Sequence, residues 1–128
     1  MGTKTLTITE FLLARIAEDE DTARSALNAR TRPRSAAPTP WRLSATGMAI
    51  LDGGGSESGV ARGRGVILAH VARHDPARVL AECVAKRRIV EMERIFQYEY
   101  NGGGLRIAIE ALASVYADHP DYREEWRA

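Results

Sequence analysis

A chain of 128 residues can bury one core and is too short for two, so a single domain over residues 1–128 is expected. Hydrophobic residues at 45% and charged residues at 27% sit near the globular average, which excludes wholesale disorder and a membrane-resident chain. Eighteen Lys and Arg against seventeen Asp and Glu leave a net charge of +1, so no overall basic field marks a dedicated nucleic-acid or membrane-surface protein.

The first helix is predicted over residues 7–30, where Ile8, Phe11, Leu12, Ile16, Ala23 and Leu27 fall mostly three, four or seven apart and form one apolar stripe. Thr7 and Glu10 have the spacing of a capping box. Glu18-Asp19-Glu20-Asp21 must fan around most of that helix, so at least one of the four carboxylates is expected to face a basic group. Residues 30–40 then turn Arg- and Pro-rich and read as a flexible loop, since residues before proline avoid the helical region. Trp41-Arg42-Leu43 and Met48-Ala49-Ile50-Leu51, joined by Ser44-Ala45-Thr46-Gly47, predict a small β-hairpin. Residues 53–65 have the glycine content of a second flexible loop.

A short apolar helix over residues 66–73 ends at His74. Asp75-Pro76 then opens the next one, with Asp as N-cap and Pro at the first helical position. That helix, residues 76–98, shows a wide apolar face built from Val79, Leu80, Cys83, Val84, Ile89, Val90, Ile95 and Phe96. Asn101-Gly102-Gly103-Gly104 is expected to break the backbone before a last helix from 105 to 116. The fold class is therefore mainly α with minor β: about four helices around one core, with a small hairpin near residues 41–51.

The lone cysteine, Cys83, excludes an internal disulfide and lies on an apolar helix face, where cysteine behaves as a small hydrophobe. No secretory-signal pattern and no membrane-length apolar run occurs, so a cytoplasmic location is expected, away from the membrane. GxSxG, GxxxxGK[ST] and HExxH are all missing, and the chain is expected to be neither an enzyme nor a cofactor carrier.

Three constellations remain. His70 and His74 stand four apart on one helix, a spacing that lets two imidazoles share a metal with His119 or Asp75; the alternatives are interface packing by His70 with helix-end capping by His74, and a proton-transfer role. Arg30, Arg32, Arg34, Arg42, Arg62 and Arg64 face only Asp52 and Glu57 across residues 30–64, a local balance of +4. With Trp41 as a stacking surface, that stretch is the best nucleic-acid or nucleotide candidate; the alternative is a solvated basic arm that folds back on residues 18–21. Tyr116, Tyr122 and Trp126 concentrate aromatic side chains near the C-terminus, as a partner-binding surface or as a lid over the core.

Two segments, HVARHDPARVLAECVAKRRIV from His70 and YADHPDYREEWRA from Tyr116, resemble the hallmark blocks of a small family of actinobacteria and their phages catalogued as a domain of unknown function. The acidic opening helix and the Pro38-Thr39-Pro40-Trp41 element are similar to the same family, whose members often read Thr-Pro-Gly-Pro-Trp there. Relatives with a Cys-x-x-Cys before the last helix imply a zinc there, but this chain has Tyr98-Glu99-Tyr100-Asn101 in its place. The resemblance implies an accessory protein with no known activity to transfer. The expectation is a non-catalytic protein-interaction module, bound to an unidentified larger protein and favoured as a homodimer. Nucleic-acid binding through residues 30–64 and metal binding through His70, His74 and His119 are the alternatives.

Overall fold

The computed structural model describes residues 5–28, 41–51, 59–98 and 102–127. Four helices run in chain order with a small sheet between the first two: α1 (Ile8–Asn28), β1 (Arg42–Leu43), β2 (Ala49–Leu51), β3 (Gly59–Arg62), α2 (Gly65–Arg73), α3 (Pro76–Phe96) and α4 (Gly102–Ser114). A 3-10 turn, Glu124–Trp126, follows them. The fold is mainly α with minor β. Residues up to Glu18 together with those from Cys83 onward form one compact unit, and Asp19–Glu82 forms a second.

In the first unit, α1 starts where the capping box requires. The Glu10 backbone N–H donates to Thr7 Oγ1 at 3.1 Å, and the Thr7 N–H donates to Glu10 Oε1 at 3.2 Å, so two of the free donors at the helix start are satisfied reciprocally. Ile8, Phe11, Leu12 and Ile16 are buried as their spacing predicts. They share a core with Cys83 and Val90 of α3 and with Ile109 and Ala113 of α4. Cys83 donates weakly through its thiol to the Ile16 carbonyl at 3.9 Å, which fits a buried small hydrophobe.

Two helices differ from the sequence pattern. On α3 the buried stripe is narrow: Val84, Ile95 and Phe96 face outward, while Glu93 is buried with Cys83 and Val90. Stripe width is set by how many partners a helix meets, and composition does not record that. On α4 the helix begins at Gly102 and ends at Ser114, earlier at both ends than the pattern predicts. Glycine costs about 1 kcal/mol relative to alanine within a helix, yet it fits a first turn because nothing forbids its helical dihedrals. The buried pair Ile109 and Ala113 holds the helix downstream.

In the second unit the hairpin forms, and a third strand extends it. β1 pairs antiparallel with β2, and β2 with β3, in the order β1-β2-β3. The turn closes with the Gly47 N–H on the Ser44 carbonyl at 2.9 Å, and Gly47 takes φ +73°, a conformation that favours glycine. Residues 59–62, counted with the Gly-rich loop on composition, are β3, because pairing with β2 supplies the hydrogen bonds that the weak local propensity does not. Residues 30–40 and 53–58 of the expected loops lie outside the described residues. α2 packs on β1 and β2 through its one buried residue, Leu68.

Candidate functional site

The strand register decides which side chains share a face. Arg42 stands opposite Leu51, and Ala49 opposite Arg62; Leu43, Ile50 and Ala61 form the intervening row. Side chains alternate between faces along a strand. Ile50 is fully buried, so its row is the core side, and Arg42, Ala49, Leu51 and Arg62 project from the opposite side. The register slips by one residue between Ile50 and Leu51, and this bulge lets the strand start at Gly59.

That outer face is the floor of an open groove of about 1020 Å³ lined by Arg42, Ser44, Met48, Ala49, Leu51, Arg62 and Arg64, among others. Met48 is two-thirds exposed. Ser44 Oγ accepts the Ala49 N–H at 3.2 Å and lies 3.1 Å from Thr46 Oγ1, so the hydroxyls at one end brace the turn. Among the described residues, no carboxylate pairs with Arg42, Arg62 or Arg64. Three guanidiniums thus rim an apolar floor, an arrangement that binds anions and tolerates apolar contact.

The other sequence candidates are dispersed. Arg30, Arg32 and Arg34 lie outside the described residues. Trp41 does not join the groove: it lines a separate cleft of about 280 Å³ with Asp19, Thr22, Ala23, Ala26, His74, Pro76 and Val79. Asp75 anchors it there. One carboxylate oxygen, Oδ1, accepts the Arg78 N–H at 2.9 Å and caps α3, while Oδ2 accepts the Trp41 N–H at 2.9 Å. Asp75 is buried, so a residue marked by sequence only as a cap also ties the approach to β1 onto the start of α3. Arg78 pairs with Glu82 at 3.0 Å, as a local salt bridge.

The histidines fall in both units, with His70 on α2 and His74 at its C-terminal end. His70 and His74 are exposed and their rings stand 4.6 Å apart. The His74 N–H closes α2 on the His70 and Val71 carbonyls, both at 3.2 Å. His119, in the first unit, meets the Phe11 ring at 5.6 Å and accepts the Asp121 N–H on Nδ1 at 3.0 Å. Among the described residues, no three His, Cys, Asp or Glu side chains come together as a metal site.

Two of the three C-terminal aromatics are buried, which is the lid arrangement of the two that the sequence left open. Tyr122 is 9% and Trp126 8% exposed; their ring centres lie 5.7 and 5.2 Å from Phe11 and 5.6 Å from each other. Residues this buried have little area left for a partner, and the physical reason is the large apolar payload of aromatic rings. Tyr116 is half-buried, with Lys86 Nζ donating to its hydroxyl at 3.4 Å. Sequence reading missed Arg15, which is buried over the Phe11 ring at 5.4 Å. Its Nη2 reaches Glu18 at 3.1 Å, so one of the four acidic residues does face a cation. Arg15 Nε and Nη1 and the Tyr122 hydroxyl are buried and have no hydrogen-bond partner among the described residues.

Fold and site together define a mainly helical protein whose small sheet presents a basic, apolar-floored groove. The chain belongs to a family of unknown function, DUF6221, whose model matches residues 5–128. No curated protein and no solved structure matches it.

Proposed function

We propose that this chain is a non-catalytic accessory module of an actinobacterium or its phage that works in the cytoplasm by binding and modulating a larger protein. The observation that carries the reading is the groove, where Arg42, Arg62 and Arg64 surround Met48, Ala49 and Leu51 and meet no described carboxylate. Arg and Met are enriched at the centres of protein interfaces, where a planar cation and a flexible thioether fit many surfaces. Val66 and Ile67, directly after the groove, are strongly exposed and enlarge the apolar part of that surface. No helix among the described residues is long and apolar enough to cross a membrane. Exposed Val84, Ile95, Ile107 and Val115 in the first unit support a homodimer.

Affinity capture from the native host, with wild type and the double variant Arg42→Glu/Arg62→Glu compared side by side, tests the reading. A partner retained by wild type and lost by the variant supports it; equal recovery by both sinks it. Nucleic-acid binding is a second reading, favoured by the same three arginines, and it requires affinity for mixed nucleic acid that rises as salt falls.

A further inference from the structure

Resting on the binding-module reading, we infer that the occupant of the groove is an acidic, partly apolar peptide segment of the partner protein. Its carboxylates meet Arg42, Arg62 and Arg64, and its apolar side chains lie on Ala49, Leu51 and Met48. The charge argument comes first. Three guanidiniums without a described carboxylate repel a cationic ligand and reward an anionic one, and arginine binds a carboxylate through two parallel N–H donors.

Geometry sets the reach. Arg42 and Arg62 sit on the two strands flanking β2, offset by two residues along it, which places their Cα atoms on the order of 12 Å apart from the usual strand spacing and rise. Carboxylates two residues apart on an extended chain are separated by roughly 7 Å, and the length of the arginine side chains takes up the difference. Between the two cations lie Ala49 and Leu51, both apolar, which favour an apolar side chain over a sugar or phosphate.

A nucleic-acid strand would instead want an aromatic platform for its bases. Trp41, the one aromatic residue beside the groove in sequence, lines the other cleft with its backbone held by Asp75. Among the described residues, no aromatic side chain lines the groove itself.

The test is fluorescence anisotropy on the full chain with three labelled probes of equal length: a peptide alternating Glu and Leu, its Lys and Leu counterpart, and oligo-dT. The Glu/Leu peptide is expected to bind, to weaken as salt rises, and to lose at least tenfold in affinity in Arg42→Glu/Arg62→Glu, with circular dichroism unchanged. Arg73→Glu, at an exposed arginine that does not line the groove, controls for a general charge effect and is expected to lose much less. Tighter binding of oligo-dT than of the peptide, or equal loss in both variants, overturns the proposal. So does a native partner that is lost with the groove arginines yet is not displaced by the Glu/Leu peptide. That last result leaves the binding-module reading standing, whereas a partner retained by the groove variant removes the module reading itself.

Discussion

The two units handle charge in opposite ways. In the first, five of the described arginines take a carboxylate close in sequence: Arg15 with Glu18, Arg94 with Glu91, Arg106 with Glu110, Arg123 with Glu125 and Arg127 with Glu124. In the second, Arg78 pairs with Glu82, but Arg42, Arg62 and Arg64 find no described carboxylate and converge on one groove. Aromatic side chains follow the same division. Phe11, Tyr122 and Trp126 are packed inward, whereas the groove is floored by aliphatic side chains and left open. Charges neutralised within a few residues serve the local helix or turn, whereas Arg42 and Arg62, brought from different strands to one face, are left available to the proposed ligand.

The largest effect that would break this comparison is at Trp126. Trp126→Ala is expected to cost about 3–5 kcal/mol of unfolding free energy, the range for removing a buried large aromatic, read as the urea midpoint. A variant of near wild-type stability that fails to capture a partner would return Trp126 to the surface and remove the contrast. Asp75→Ala comes next, at about 2–3 kcal/mol, because it strips an acceptor from both the Arg78 and Trp41 N–H groups. Asp75→Asn, which keeps only one acceptor oxygen, is expected to fall between the two. A loss no larger than that of an ordinary exposed cap would show that the Trp41 tether contributes nothing.

Smaller effects sharpen the picture. Arg42→Glu/Arg62→Glu is expected to change stability by no more than about 0.5 kcal/mol, as exposed substitutions do, so a large drop in melting temperature would make those arginines structural. Tyr122→Phe removes a buried hydroxyl that has no partner among the described residues, so it is expected to leave stability unchanged or to raise it by up to about 1 kcal/mol; a clear loss in thermal unfolding would mean that the hydroxyl has a partner in solution.

The smallest effect is in pH dependence. Hydrogen bonds from Arg94 and Arg127 hold the Glu91 and Glu124 carboxyls below their ordinary range. A depressed carboxylate stabilises the fold above its unfolded value, about 4.3, and the contribution is lost as the pH falls through the lower native value. Both groups are fully exposed, so Glu91→Gln/Glu124→Gln is expected to flatten the acid limb of the stability curve only slightly. A large flattening would show these pairs to be more than surface contacts.

Much of the local structure was legible in the residues. The capping box at Thr7 and Glu10, the stripe from Ile8 to Ile16, the hairpin around Gly47 and the Asp75-Pro76 helix start are all short-range effects, each fixed by a few neighbouring side chains. The candidate site was legible in part. Clustered arginines in residues 30–64 were visible, but register alone puts Arg42 and Arg62 on the groove face, Arg64 lines the groove from the start of α2, and the Asp75 tether holds Trp41 at another cleft. Counting aromatics near the C-terminus could not tell a surface from a core, since both use the same residues.

By itself the sequence determined where α1 and α3 begin, which stripe of α1 is apolar and that opposite charges are segregated along the chain. These follow from dihedral preferences, capping and periodicity, which act over one or two turns. Tertiary structure alone decided that β3 exists, that α3 buries a narrow stripe, that Tyr122 and Trp126 close on Phe11, and that three arginines face outward together. Those outcomes depend on which distant segments meet. A strand of low propensity forms when β2 supplies its hydrogen bonds, and an aromatic ring is buried when Phe11 is there to receive it.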